Sequence, residues 1–117
     1  MSSESPIDKQ TIINNITSFC SNDAAAGQEL FEIIQKSIAE SFNLLNTYFK
    51  ENSADNFRKT AHKLRFSLSI IKVEATHQQA IYIDDCINEM NFNNVTQQEI
   101  MIQFINKIEV LNKELNK

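Results

Sequence analysis

The amino-acid sequence predicts an all-α fold, an antiparallel up-down four-helix bundle with a short additional N-terminal helix. The chain of 117 residues contains one glycine and one proline, and β-sheets need more turns than these two residues supply. Apolar residues recur at steps of three and four along most of the chain. The breaks between these stripes are short, which favours antiparallel neighbours. The length allows one core, so we predict a single domain over residues 1–117.

The N-terminal part of the chain predicts one short helix. Residues 1–6 are polar and are expected to be flexible. Helical spacing then runs from Ile7 to Cys20, with Asp8 as the expected N-cap. The segment Ser21-Asn22-Asp23 breaks the pattern and offers a cap for the next helix. The apolar positions of this short helix are Ile12, Ile13, Ile16 and Phe19.

Two long helices are predicted next. One extends from about Ala24 to Lys50, and the other from about Ala54 to Lys72 with Ser53 as its cap. The apolar stripe of the first consists of Leu30, Phe31, Ile34, Ile38, Phe42, Leu45 and Phe49. The stripe of the second consists of Phe57, Ala61, Leu64, Leu68 and Ile71.

The C-terminal part of the chain predicts two further helices. Val73 and Glu74 form a tight connection to the fourth helix, and a polar loop over residues 91–95 follows that helix. Thr96 and Glu99 match a capping box, so the last helix is expected to begin there. The fourth stripe consists of Thr76, Ala80, Ile83, Ile87 and Met90. The last stripe consists of Met101, Phe104, Ile105, Ile108, Leu111 and Leu115.

The composition excludes several classes of function. Fifteen acidic and eleven basic residues give a net charge of −4, so no nucleic-acid partner is expected. Gly27 is the only glycine, and nucleotide-binding loops need a cluster of them. Cys20 and Cys86 form no ligand pair and are interpreted as reduced thiols of a cytoplasmic protein. We expect no signal peptide and no contact with a membrane, because no long apolar run occurs.

The third helix carries the polar residues that the core does not need. At about 100° per residue, its apolar stripe is centred roughly 140° away from His62, which therefore faces solvent in the middle of the helix. The two arginines of the chain, Arg58 and Arg65, flank this histidine, and Lys59 shares its face. Most exposed histidines have no special function. A neutral imidazole beside several cations, however, is well suited to accept a phosphoryl group, whose negative charge the cations stabilise.

The segment Ala61-His62-Lys63-Leu64-Arg65-Phe66-Ser67-Leu68 resembles the phosphoacceptor helix of histidine-containing phosphotransfer (HPt) domains, whose usual form is A-H-x-L-K-G-S. The alanine, histidine, leucine and serine are unchanged, and Arg65 occupies the lysine position. The resemblance also covers the helix start at Asp23, the long second helix and the helix after Val73-Glu74. It implies a four-helix bundle with His62 as the phosphoacceptor.

Three positions bear on how closely the chain follows this family. Phe66 replaces the small glycine that lets a partner approach the imidazole, which either narrows the choice of partner or marks a degenerate member. Lys72 stands where a glycine often ends the helix. The side chain that bonds the imidazole in many members falls at Asp84, next to Asp85, where it is either that partner or a surface acid. A carboxylate there favours a proton on the near ring nitrogen and leaves the other nitrogen free to attack.

The resemblance implies a module of a multistep phosphorelay. His62 takes a phosphoryl group from an aspartyl phosphate on the receiver domain of a response regulator or hybrid sensor kinase, and passes it to the aspartate of another receiver. The residues that stabilise the phosphoryl oxygens are Arg65, Arg58 and Lys59, and those that form the docking surface are Phe66, Ser69 and Lys63. Such a module is a phosphocarrier and not a self-contained enzyme. It needs no cofactor or metal of its own, because Mg²⁺ comes with the receiver.

Other interpretations stay open. A helical adaptor uses the same face without phosphorylation, and Phe66 is its best support. A small helical enzyme lacks an assembled catalytic pair. His77 has no basic neighbours on its helical face and is interpreted as a capping or surface residue. The spacing of His62, His77 and Asp84 matches no metal-binding motif, so no metal site is predicted from them. Four filled stripes leave no spare apolar seam, so we predict a monomer. Without a kinase core, the chain either acts alone or is part of a hybrid kinase.

Overall fold

The computed structural model describes residues 8–86 and 94–117, and these residues form five α-helices and no β-strand. The helices are α1 (Lys9–Phe19), α2 (Ala24–Lys50), α3 (Ala54–Ile71), α4 (Glu74–Asp85) and α5 (Val95–Leu115). The all-α prediction is confirmed for this part of the chain. The predicted positions Ile87, Met90 and Phe92 lie outside the described residues.

The helices pack in sequence around a shared apolar core. From α2 onward each helix packs against the next, and α5 also packs against α2, while α1 packs against α2 and α3. All five helices contribute fully buried side chains. The largest of these are Phe57, Phe104, Ile16, Ile34, Ile38, Leu45, Leu64, Leu68, Ile71, Ile83, Met101 and Ile108. Burying each such side chain stabilises the fold by roughly 1.5–3 kcal/mol relative to exposure, so the predicted stripes are the main source of stability.

Side-chain caps set where three of the helices begin. Asp8 and Asp23 cap α1 and α2 as predicted, and each accepts a hydrogen bond from a backbone N–H three residues later. The predicted capping box at Thr96 is wrong. The side chain of Asn94 accepts from the N–H of Gln97 at 3.0 Å, so α5 already begins at Val95. Ser53 occupies the N-cap of α3 without a capping bond from its side chain.

The turn between α3 and α4 lies beside α1. Lys72 adopts a left-handed backbone conformation with φ of 59°, so α3 ends at Ile71, one residue before the predicted end. Glycine is the residue that adopts this conformation most easily, which fits the helix-ending glycine of the family resemblance. The side-chain amide of Asn15 donates to the carbonyl of Ile71 at 3.2 Å and ties α1 to this turn.

The single glycine lies where α1 and α2 approach closely. Gly27 is buried in the first turns of α2, and an added Cβ would lie 2.9 Å from Thr17 Oγ1 and 3.2 Å from Thr17 Cα. The backbone of α1 therefore occupies the space that any larger residue would need. Within residues 8–86 and 94–117, none of the helices combines the length and apolarity that a membrane crossing requires.

Candidate functional site

His62 lies near the middle of α3, on the side of the helix that faces away from the core. Its neighbours Ala61 and Leu64 are fully buried, whereas the His62 side chain is 65% exposed. Helical periodicity explains the contrast, because a residue about 140° from the buried stripe must face outward. The predicted exposure of His62 is thus confirmed.

The carboxylate of Asp84, on α4, contacts this imidazole. Asp84 Oδ2 lies 2.6 Å from His62 Nδ1, although 22 residues separate the two in sequence. The Asp84 side chain is only 8% exposed, so the contact joins a buried acceptor to an exposed ring. An ionised carboxylate can only accept hydrogen bonds. A neutral His62 therefore carries its proton on Nδ1, and Nε2 keeps its lone pair.

The same carboxylate pairs with both arginines of the chain. Arg65 Nη1 donates to Asp84 Oδ2 at 2.6 Å, and Arg58 Nη1 donates to Asp84 Oδ1 at 3.3 Å. Each guanidinium has five N–H donors, so both keep donors for a further anion. Arg58 Nε is buried and has no hydrogen-bond partner within the described part of the chain. The structure thus brings three predicted site residues, His62, Arg58 and Arg65, to the carboxylate of a fourth, Asp84.

Competing effects set the protonation of Asp84. Burial raises the pKa of its carboxyl, but the hydrogen bonds from His62 and Arg65 and the positive charge around it outweigh burial. The net result is a pKa below the ordinary value of 3.8. Asp84 is therefore ionised at neutral pH, as the assigned imidazole tautomer requires.

Two lysines lie on the other flank of His62. Lys59 Nζ is 3.1 Å from Asp55 Oδ2, and both side chains are well exposed, so this ion pair is weak. Lys63 is exposed and makes no ion pair with any residue in the described ranges. The α4 side of the imidazole therefore carries arginines held by Asp84, whereas the lysines on the opposite side are exposed.

An apolar edge adjoins the histidine on the side of α1. Phe66 is 62% exposed, and its ring packs edge-to-face on Phe19, with 6.1 Å between ring centroids and 83° between ring planes. The helical spacing groups Phe19 with the core positions of α1, but Phe19 is 56% exposed. It is the last residue of α1 and meets Phe66 instead of the core. A shallow groove beside this pair is lined by Asn15, Ser18, Phe19, Ser69, Ile70 and Lys72.

The remaining candidates stay apart from this site. His77 is half-buried in the first turn of α4, where its backbone N–H donates to the carbonyl of Val73. Cys20 and Cys86 are both free thiols. No group of three or more histidine, cysteine or acidic side chains that could hold a metal occurs among the residues described. The structure thus does not group His62, His77 and Asp84 as metal ligands.

The chain matches no protein-family model, no curated protein and no solved structure. The functional assignment therefore depends on the chain's own residues.

The site presents an exposed ring nitrogen with a lone pair, Nε2 of His62. Beside it are two guanidinium groups that the buried carboxylate of Asp84 holds in position. Such an arrangement can attack an electrophile and stabilise an anionic group on the ring. The sequence identifies each of these side chains as a site residue, but it does not indicate that both arginines bind the carboxylate of Asp84. It also did not indicate a role for Phe19, whose spacing is that of an ordinary core residue.

Proposed function

We propose that the chain is a histidine phosphotransfer domain, an antiparallel up-down four-helix bundle with an added N-terminal helix that carries a phosphoryl group on His62. The observation that supports this most strongly is the Asp84–His62 hydrogen bond, because it directs Nε2 of an exposed imidazole to solvent as a nucleophile. The neighbouring Arg58 and Arg65 supply the positive charge that a phosphoryl group requires. The packing of α2 to α5 in a closed ring supports the bundle.

The proposed step forms one bond and breaks one. The lone pair of His62 Nε2 attacks the phosphorus of an aspartyl phosphate on a receiver domain. The N–P bond forms, the P–O bond to the aspartyl carboxyl group breaks, and the aspartate carboxylate leaves with that electron pair. The proton on Nδ1 stays between His62 and Asp84, where the carboxylate stabilises the positive charge that develops on the ring. The reverse step passes the phosphoryl group to the aspartate of another receiver.

The basic residues act by position and charge. Asp84 holds Arg58 and Arg65 beside the ring, so little reorganisation is needed when the phosphoryl oxygens arrive. Their unused N–H groups, together with Lys59, are the proposed donors to those oxygens. The docking surface for the receiver consists of Phe66, Ser69 and Lys63. The receiver supplies Mg²⁺, and the chain itself holds no cofactor in this proposal.

The test replaces His62 by glutamine, which removes the nucleophile and keeps a polar side chain of similar length. Wild-type protein is mixed with receiver domains that carry a chemically formed aspartyl phosphate, and labelled product is assayed for stability in acid and base. We expect a label that is stable in base and lost in acid, and we expect His62→Gln to abolish it. His77→Gln is the matched control and should retain the label.

Two results would contradict the proposal in different ways. A base-stable label that persists in folded His62→Gln protein would place the acceptor elsewhere. If folded wild-type protein receives no label from a broad panel of receivers, phosphoryl transfer is not its function. The exposed pair Phe19 and Phe66 would then favour the second candidate, an adaptor that binds a protein partner through this face without phosphorylation.

A further inference from the structure

Phe66 occupies the position on α3 from which a side chain most easily covers His62. Residues four apart on a helix are neighbours on its surface. Side chains on a helix also lean toward its N-terminus, so a long side chain lies over the residue one turn earlier. For Phe66 that residue is His62. A phenyl ring in this default position would cover the imidazole that the proposed reaction needs.

The structure shows the Phe66 ring in a different place. It packs edge-to-face on Phe19 of α1, with ring centroids 6.1 Å apart, and the His62 side chain remains 65% exposed. Edge-to-face packing of two aromatic rings is a favoured arrangement, so Phe19 offers Phe66 an alternative to lying over the imidazole.

Phe19 can serve this purpose because α1 is anchored independently of it. Ile12 and Ile16 are buried in the core, and Asn15 donates to the carbonyl of Ile71 at the end of α3. Thr17 packs tightly over Gly27 of α2. The Phe19 side chain itself is mostly exposed, so its removal leaves these anchors in place.

We propose that Phe19 is a positioning residue that holds the ring of Phe66 against α1 and thereby keeps Nε2 of His62 open to a reacting partner. The ring pair forms an apolar wall on the α1 side of the imidazole, and Arg58 and Arg65 stand on the α4 side. The role of this contact in phosphoryl transfer rests on the proposed function, whereas its effect on access to His62 does not.

The first experiment measures access to His62 with a small electrophile, diethyl pyrocarbonate. The Nε2 lone pair forms a bond to a carbonyl carbon, the C–O bond to ethyl carbonate breaks, and the Nδ1 proton passes to solvent. Peptide mapping by mass spectrometry gives separate rates for His62 and His77. The half-buried His77 lies on α4 and serves as the internal reference.

Four variants separate positioning from simple loss of structure. We expect Phe19→Ala to slow modification of His62 severalfold relative to His77, because the freed Phe66 ring moves over the imidazole. Phe66→Ala should react at least as fast as wild type. The double variant, Phe19→Ala with Phe66→Ala, should react at the rate of Phe66→Ala, since no ring is left to cover His62. Phe19→Tyr keeps an aromatic ring and should behave like wild type.

Three outcomes would overturn the inference. If the His62 rate of Phe19→Ala equals that of wild type, Phe19 does not control access. If the double variant stays as slow as Phe19→Ala, the cause is a distortion of α1 and not the Phe66 ring. A Phe66→Ala protein slower than wild type would show that the phenyl ring assists the imidazole.

The same variants then receive phosphoryl groups from a phosphorylated receiver, which tests the proposed function separately. If the modification pattern holds and wild-type protein accepts no phosphoryl group, the positioning role stands and the phosphotransfer function fails. If wild-type protein is phosphorylated but the modification pattern is absent, the function stands and the positioning role fails. Loss of transfer in Phe19→Ala, with transfer retained in Phe19→Tyr, supports both.

Discussion

Asp84 accepts hydrogen bonds from His62, Arg65 and Arg58, so one largely buried carboxylate orients an imidazole and two guanidinium groups. A buried charge without partners is costly, and these three donors offset that cost. Removing the carboxylate therefore affects both the nucleophile and its cationic neighbours. The neighbouring Asp85 is exposed and provides a comparison within the same turn of α4.

Replacing Asp84 by asparagine should slow phosphorylation of His62. The amide no longer favours a proton on Nδ1, and the two arginines lose their counter-charge. We expect the rate to fall about tenfold to a hundredfold, the size of effect that misplacement of a reacting group produces. The measurement is the rate of phosphohistidine formation from phosphoramidate, a small donor that needs no docking surface. Asp85→Asn should react like wild type, and an equal loss in both variants would exclude a specific role for Asp84.

The ionisation of Asp84 also predicts how stability depends on pH. Its folded-state pKa lies below 3.8, so the carboxylate contributes stability at pH values above the unfolded pKa. That contribution is lost as the pH falls through the folded pKa. The difference in unfolding free energy between wild type and Asp84→Asn should therefore be full near about pH 6 and shrink toward about pH 3. Urea unfolding at several pH values measures it, and a difference that grows on acidification would contradict the assigned ion pairs.

At the scale of the helices, the contact between α1 and α2 requires a residue without a Cβ at Gly27. Gly27 lets the backbone of α1 at Thr17 approach α2, and α1 in turn carries Asn15 and Phe19 to α3. A small change at Gly27 therefore acts on the surroundings of His62 through the position of α1.

Replacing Gly27 by alanine should destabilise the protein, even though alanine favours helix formation by about 1 kcal/mol over glycine. The new Cβ would lie 3.2 Å from Thr17 Cα, a backbone atom that cannot rotate away. Overpacking of this kind costs about 1–3 kcal/mol, so a net loss of roughly 1 kcal/mol is expected in urea unfolding. Gln28→Ala, at the exposed neighbouring position, should change stability by less than about 0.5 kcal/mol. A Gly27→Ala protein more stable than wild type would mean that α1 moves aside at no cost.

Considered as a whole, the molecule buries its apolar stripes between helices, and α2 and α5 close the ring of contacts. Some large apolar side chains remain on the surface, including Ile33 and Leu44 on α2. Single exposed apolar residues are normal in monomeric proteins and do not by themselves indicate an interface.

We therefore predict that the protein is a monomer in solution. Sedimentation velocity at several concentrations should give one species with the mass of a single chain, 13.5 kDa. A stable dimer would contradict this prediction, and loss of the dimer in Ile33→Ser would then identify the outer face of α2 as its interface.

The sequence alone predicts the five helices, most of their bounds, the buried stripes and the exposure of His62. Each of these depends on helical periodicity and on caps such as Asp8 and Asp23, which are properties of short segments. The predicted start of α5 is wrong because both Asn94 and Thr96 suit a helix N-terminus, and the spacing from Thr96 to Glu99 favours the wrong one.

Only the tertiary structure brings Asp84 to His62, lets both arginines share its carboxylate and turns Phe66 onto Phe19. The family resemblance suggested Asp84 by counting along the chain, but counting does not determine the crossing of α3 and α4. That crossing follows from how whole helix surfaces interlock. Contacts between residues far apart in sequence depend on all of the side chains packed between the helices, and no local pattern specifies them.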